Sequence, residues 1–163
     1  MKTITFKPFG VVLLLLMACN PCFSQYFMET PIGAGATLRF PGEIQENHTD
    51  RHIVVTCKFS DYQFMGMTAK EERYNKDSSD AYYATFVKDF ASNDKITNVH
   101  AKDFTYNGMA GKDINYDIKG GKFGRTRVLI TRRTLYVCTV TSAEPDLAKS
   151  KVADAFFDSF KLE

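Results

Sequence analysis

The chain has 163 residues, of which 21 are Lys or Arg and 19 are Asp or Glu, giving a formal net charge of +2. Both excess cations, Lys2 and Lys7, precede residue 9, so the chain from residue 25 carries 19 charges of each sign. That balance excludes a broad electrostatic footprint for nucleic acid or anionic membrane. Fourteen Phe, eight Tyr and 25% charged residues describe an aromatic-rich globule rather than a disordered chain. The 139 residues after residue 24 are enough for one domain with one core.

Residues 1–8 carry Lys2 and Lys7 and no acid, and the chain is then almost wholly apolar from Gly10 to Cys19. A basic start, a short apolar run and small residues at its exit are the parts of an export signal. The run is about half of the roughly 20 residues a membrane-spanning helix needs, so no transmembrane span is expected. Two exits compete. Cys22 and Ser24 supply small residues for cleavage before Gln25, whereas Leu16-Met17-Ala18-Cys19 is an imperfect lipidation box that would anchor the chain through Cys19. Cleavage after Ser24 is favoured because it leaves an even number of cysteines, Cys57 and Cys138. The expected organisation is a signal over 1–24, a flexible lead over 25–35 and a single α+β domain over 36–163.

Within that domain, residues 36–42 alternate apolar and polar and stop at Pro41-Gly42, which predicts a strand and turn. Ile53, Val55, Cys57 and Phe59 share one face at period two. A turn at Ser60-Asp61 joins that strand to another over residues 63–72. The period then lengthens. Apolar residues at 82/83, 86/87 and 90 mark one helix face, with Ser78 or Ser79 as cap and Asp80 in the first turn. Strands follow over 97–106, 109–118, 125–131 and 135–141, the first pair joined by the hairpin dipeptide Asn107-Gly108. Pro145-Asp146 opens a second helix through Leu147, Val152 and Phe156, and residues 159–162 alternate again as a closing edge strand. Six or seven strands and two helices in this order predict an α+β fold, a central antiparallel sheet flanked by two main helices.

The chemistry-bearing residues are sparse. His48, His52 and His100 accompany no Gly-x-Ser-x-Gly elbow and no local cysteine nucleophile signature. His48 and His52 lead into a strand, where a four-residue separation is roughly 13 Å, so they read as a solvated pair rather than metal ligands. Gly33-Ala34-Gly35 lacks the third glycine and the preceding strand of a phosphate loop. The sequon Asn47-His48-Thr49 carries meaning only in a eukaryotic secretory route. Glu71-Glu72 and the Asp113/Asp117 pair read as solvated strand and turn positions. Between Lys119 and Ser142 lie six basic residues and no acid. Alternation puts Arg125, Arg127 and Arg133 on one face, either as charge that blunts a sheet edge or as a docking patch for an acidic partner.

The stretches LRFPG at 38–42, YNGMAGKDINYDI at 106–118, TLYVCTVTS at 134–142 and AFFDSFKL at 155–162 resemble, in order and texture, the PsbP-like superfamily, which includes the PsbP, Mog and DcrB-like proteins. The resemblance covers residues 36–162. It implies a central antiparallel sheet sandwiched by helices and action by binding rather than catalysis. It brings no active-site motif, cofactor or metal. The expected function is therefore that of an exported, non-enzymatic binding or accessory domain whose partner is an envelope or extracellular protein. The alternative is an exported hydrolase whose acidic site is scattered in sequence. Cys57 and Cys138 are expected either as a disulfide closing a loop of about 80 residues or as two small buried hydrophobes.

Overall fold

The computed structural model describes residues 27–71, 79–131 and 133–163. Cys19, Ser24, Gln25, the cap candidate Ser78 and Arg132 lie outside the described residues. The strands are β1 (Met28–Gly33), β2 (Ala36–Phe40), β3 (Ile44–His48), β4 (His52–Phe59), β5 (Tyr62–Lys70), β6 (Ile96–Tyr106), β7 (Met109–Ile118), β8 (Lys122–Thr131), β9 (Thr134–Ser142) and β10 (Lys161–Leu162). Helix α1 (Ser79–Ala91) joins β5 to β6, and α2 (Lys151–Asp158) follows a 3-10 turn at Leu147–Lys149. A seven-stranded sheet runs in the order β3-β4-β5-β9-β8-β7-β6, and a three-stranded sheet in the order β1-β2-β10. Every described pairing is antiparallel. The architecture is a sheet-rich α+β fold.

Alternation along the strands divides the core in two. Val55, Cys57, Phe64, Leu129, Tyr136, Cys138 and Val140 point to one face, where they meet Ile32, Leu38 and Phe40 of the small sheet and Phe156 and Phe157 of α2. Ile114, Tyr116, Val128, Ile130, Leu135 and Val137 point to the other, against Tyr83, Phe86 and Phe90 of α1. The small sheet comes close at one position because β5 carries Gly66 there. A Cβ on Gly66 would stand 2.7 Å from Leu38 Cδ1 and 3.0 Å from Ile32 Cγ2.

Turn chemistry fixes the registers. Asn107 (φ 48) and Gly108 (φ 78) are both left-handed, the backbone of a type I′ hairpin that matches strand twist. The segment expected as a flexible lead is instead β1 and its hairpin. Gly33, Ala34 and Gly35 all have positive φ, and Pro31 pairs with Thr37 inside the ladder. β3 was likewise unexpected, since IQENH shows no apolar alternation. β10 closes the small sheet through Lys161↔Thr37 rather than extending the large one.

The second helix begins later than Pro145-Asp146 predicts. Asp146 sits at φ 70, which interrupts helical backbone, and Ser150 caps α2 by accepting from Ala153 N at 3.4 Å.

Of the two expectations for Cys57 and Cys138, the structure has the two buried thiols and not the disulfide. Cys57 pairs with Phe64, and Cys138 with Gly66, so β5 lies between the two cysteines. Two strand spacings are about 9.5 Å, beyond the roughly 7 Å limit for a bridge. Both thiols are free and buried on the same core face. Burial pushes the Cys138 thiol up to about 12, against a weaker opposing effect of the Arg127 charge.

Candidate functional site

The residues with most latent chemistry meet where α2 crosses β7 and β8. Hairpin register places Asp113 opposite Arg127 and Asn115 opposite Arg125, so all four side chains fall on the α2 side of the sheet. Asp113 takes a bidentate grip from Arg125, with Nε to Oδ1 at 3.0 Å and Nη2 to Oδ2 at 2.8 Å. Arg127 Nε donates to the same Oδ2 at 3.1 Å. Helix α2 completes the cluster from above. Its Asp154 accepts from Arg125 Nη1 at 2.7 Å, and Asp158 from Arg127 Nη1 at 3.4 Å. Phe157, between them on that helix face, receives both guanidiniums at 4.9 Å from its ring centroid.

Asp113 is 2% exposed and Arg125 4%. Burial alone would raise the Asp113 carboxyl, but the hydrogen bonds and charge of Arg125, then of Arg127, outweigh it and hold the group below its usual value. Arg125 is held correspondingly above its own, its desolvation outweighed by Asp113 and Asp154. A buried pair of this kind is satisfied only as a unit, because losing one member strands the others away from water.

This arrangement corrects two sequence expectations. Asp113 is no solvated carboxylate, and Arg125, Arg127 and Arg133 form no exposed basic patch. Arg125 is buried, Arg127 is half-buried against α2, and Arg133 sits exposed at φ 65 in the β8–β9 turn. Within the acid-free run, Arg125 and Arg127 are answered from β7 and α2, elements outside it. A signal for this was present: the Gly120-Gly121 turn pairs Ile118 with Lys122, and counting back brings Asp113 to Arg127.

Beside the cluster a crevice of about 30 Å³ opens toward β6, lined by Phe104, Tyr106, Arg127, Tyr136, Phe157 and Phe160 among others. That is room for about two waters, or one small apolar group. Phe104 leans into it because β7 carries Gly111, where a Cβ would collide with the Phe104 ring. Arg127 stands 5.5 Å from the Phe104 centroid. Toward the other end of β6, an open polar notch of about 310 Å³ is bordered by Asn98, His100, Asn115, Asp117 and Asp146. Asn98 Nδ2 donates to Asp117 Oδ2 at 2.6 Å, and Asp146 accepts from Lys149 Nζ at 2.7 Å. Asn115 Oδ1 is buried with no hydrogen-bond partner.

His48 ends β3 and His52 opens β4, so they flank a hairpin turn rather than lying along one strand, and each makes a local contact. His48 Nε2 meets Glu46 at 2.8 Å and His52 Nδ1 meets Thr49 at 3.0 Å. Among the described residues no group of three His, Cys, Asp or Glu side chains is placed to hold a metal. Nor is any helix there long and apolar enough to cross a membrane.

No family model matches the chain, and no curated protein matches it either. Solved structures do. The solution structure of cyanobacterial PsbP (CyanoP) from Synechocystis sp. PCC 6803 superposes with a TM-score of 0.61 at 14% identity, covering 89% of this chain and 97% of that one. A Pseudomonas aeruginosa protein of unknown function aligns over 78% of this chain and 90% of its own at 15% identity, with a TM-score of 0.47. A Bacteroides thetaiotaomicron VPI-5482 protein aligns over 85% of this chain and 48% of its own at 13% identity and a TM-score of 0.41. The fold of this chain is PsbP-like.

Proposed function

We propose, with the PsbP-like fold as premise, that the chain is an exported accessory domain that acts by binding a protein partner rather than by catalysis. The observation that carries this reading is the fate of its buried charges. Asp113, Arg125 and Arg127 satisfy one another beneath α2, so their charges are spent within the fold. Next to them the half-buried rings of Phe104, Tyr106 and Phe160 frame a crevice of about 30 Å³. Substrate pockets are typically about 300–1,000 Å³, whereas a crevice of this size suits a single side chain of a docking protein. The leader supports export, with release after Ser24 rather than anchoring through Cys19, into the periplasm or the medium.

The second reading, an exported hydrolase, is favoured by one feature alone: the polar notch gathers His100, Asp117 and Asp146 at one opening. Cross-linking in intact cells followed by capture of the protein separates the two. A partner recovered in constant ratio to the protein is the expected result. Hydrolytic turnover abolished by Asp117→Asn, with no partner recovered, overturns it.

A further inference from the structure

Strand β6 is an edge of the large sheet, with β7 as its one hydrogen-bonded neighbour. It is 11 residues long, about twice the common strand length. A long edge presents a row of backbone donors and acceptors to any extended chain, and proteins ordinarily blunt such edges. Here the backbone irregularity is confined to one end, and charge falls only at mid-strand, on Lys102 and Asp103. The register with β7 shifts between Thr97 and His100, around Asn98 at φ 50. From His100 to Tyr106 the ladder is unbroken, and no described element covers its outer side.

The α2 side of that stretch is patterned. His100, Lys102, Phe104 and Tyr106 alternate onto it; the first two are exposed and the last two half-buried at the aromatic crevice. Lys102 sits opposite Asp113 in register, but Arg125 and Arg127 already occupy that carboxylate. Among the described residues, Lys102 has no ion-pair partner. The opposite side is neutral, since Asp103 pairs with Lys112. The edge thus offers one cationic half and one aromatic half on the same face, with no acid on it.

We propose, building on the accessory-domain reading above, that β6 from His100 to Tyr106 accepts an extended segment of a partner protein as an added antiparallel strand. The segment carries two apolar residues followed by two acidic ones at alternate positions. Antiparallel addition puts its apolar side chains opposite Tyr106 and Phe104, beside the crevice. Its acids then fall opposite Lys102 and the imidazole of His100. Backbone hydrogen bonds supply affinity in this mode and the alternate side chains supply choice. A second copy of this chain is a poorer occupant. Self-pairing that keeps the faces aligned sets Lys102 or His100 against another cation, an imidazole or an aromatic ring, never against an acid.

The test uses a fluorescent peptide, Thr-Val-Thr-Val-Thr-Glu-Thr-Glu-Thr, and a control of the same composition with the Val and Glu halves exchanged. Saturable binding of the first is expected, with amide exchange slowed between His100 and Tyr106. The exchanged control and the Lys102→Glu variant should each bind about 5–10-fold more weakly, the scale of a reversed cross-strand charge pair. N-methylation of one alternate set of peptide amides should abolish binding, while the other set tolerates it. Equal binding of both peptides, protection away from β6, or no binding overturns the proposal. A dimer that protects β6 without peptide also overturns it, in favour of self-pairing. If the partner captured from cells binds Lys102→Glu as well as wild type, this surface assignment falls while the accessory reading stands.

Discussion

Replacing Asp113 by Asn removes the one carboxylate that neutralises both Arg125 and Arg127 from within the sheet. The guanidinium of Arg125, 4% exposed, then keeps only Asp154 at 2.7 Å, and Arg127 keeps only the longer contact to Asp158 at 3.4 Å. Breaking a buried pair by removing one partner costs about 3–5 kcal/mol. The whole domain is worth about 7–20 kcal/mol at the usual stability per residue. The loss is therefore a large share of the total, and it should lower Tm by about 10–15 °C. Urea unfolding followed by far-ultraviolet circular dichroism measures it, with an unchanged slope excluding an altered unfolded state. Replacing the three residues together, Asp113→Leu with Arg125→Met and Arg127→Met, should recover most of the loss, because no buried charge is then stranded.

Acid supplies an independent check. The Asp113 carboxyl is held below its unfolded value of 3.8, so its contribution is complete above that value and is lost as pH falls through the folded one. The gap between wild type and Asp113→Asn should thus be full at pH 6 and should close in strong acid. A loss below about 1 kcal/mol at pH 6, or a gap that persists in acid, refutes the reasoning.

Cys57 and Cys138 should remain two thiols in protein purified without reductant. Mass should be unchanged by reductant, and Cys138, pushed up to about 12 by burial, should resist alkylation at pH 8 until urea is added; a two-dalton gain on reduction would defeat this. Gly66→Val should cost about 1–3 kcal/mol by overpacking, since even a Cβ there meets Leu38 Cδ1 at 2.7 Å; wild-type stability in chemical denaturation would remove the close-approach argument. Under the proposed export reading the mature chain should begin at Gln25, and an intact mass matching an acylated chain from Cys19 would replace release with anchoring.

Much of the fold is legible along the chain because it is set by neighbours in sequence. Alternation in Ile53–Phe59 reports a strand because successive side chains take opposite faces. Asn107-Gly108 reports a hairpin because both residues tolerate the left-handed backbone found there. The apolar spacing over residues 82–90 likewise gives α1 and the face it buries against the sheet.

The candidate site is different, since each of its members is decided by something distant. Six cations in an acid-free run look like surface when their partners are invisible. Asp113 becomes the partner of Arg125 and Arg127 only through the β7–β8 register, and Asp154 and Asp158 only when α2 lies across it. Cys57 and Cys138 share a face, as their strands predict, but β5 inserts between them, and strand order is a property of the whole sheet. β1 is not legible locally, because Pro31 and the Gly33–Gly35 turn read as a lead, whereas pairing with β2 and the close approach over Gly66 make it a strand. Alternation, turns and helix spacing can be read from the residues alone, because those preferences arise within a few bonds. The tertiary structure alone decided which charges neutralise one another and which edge stays open, because both depend on what the folded chain brings alongside.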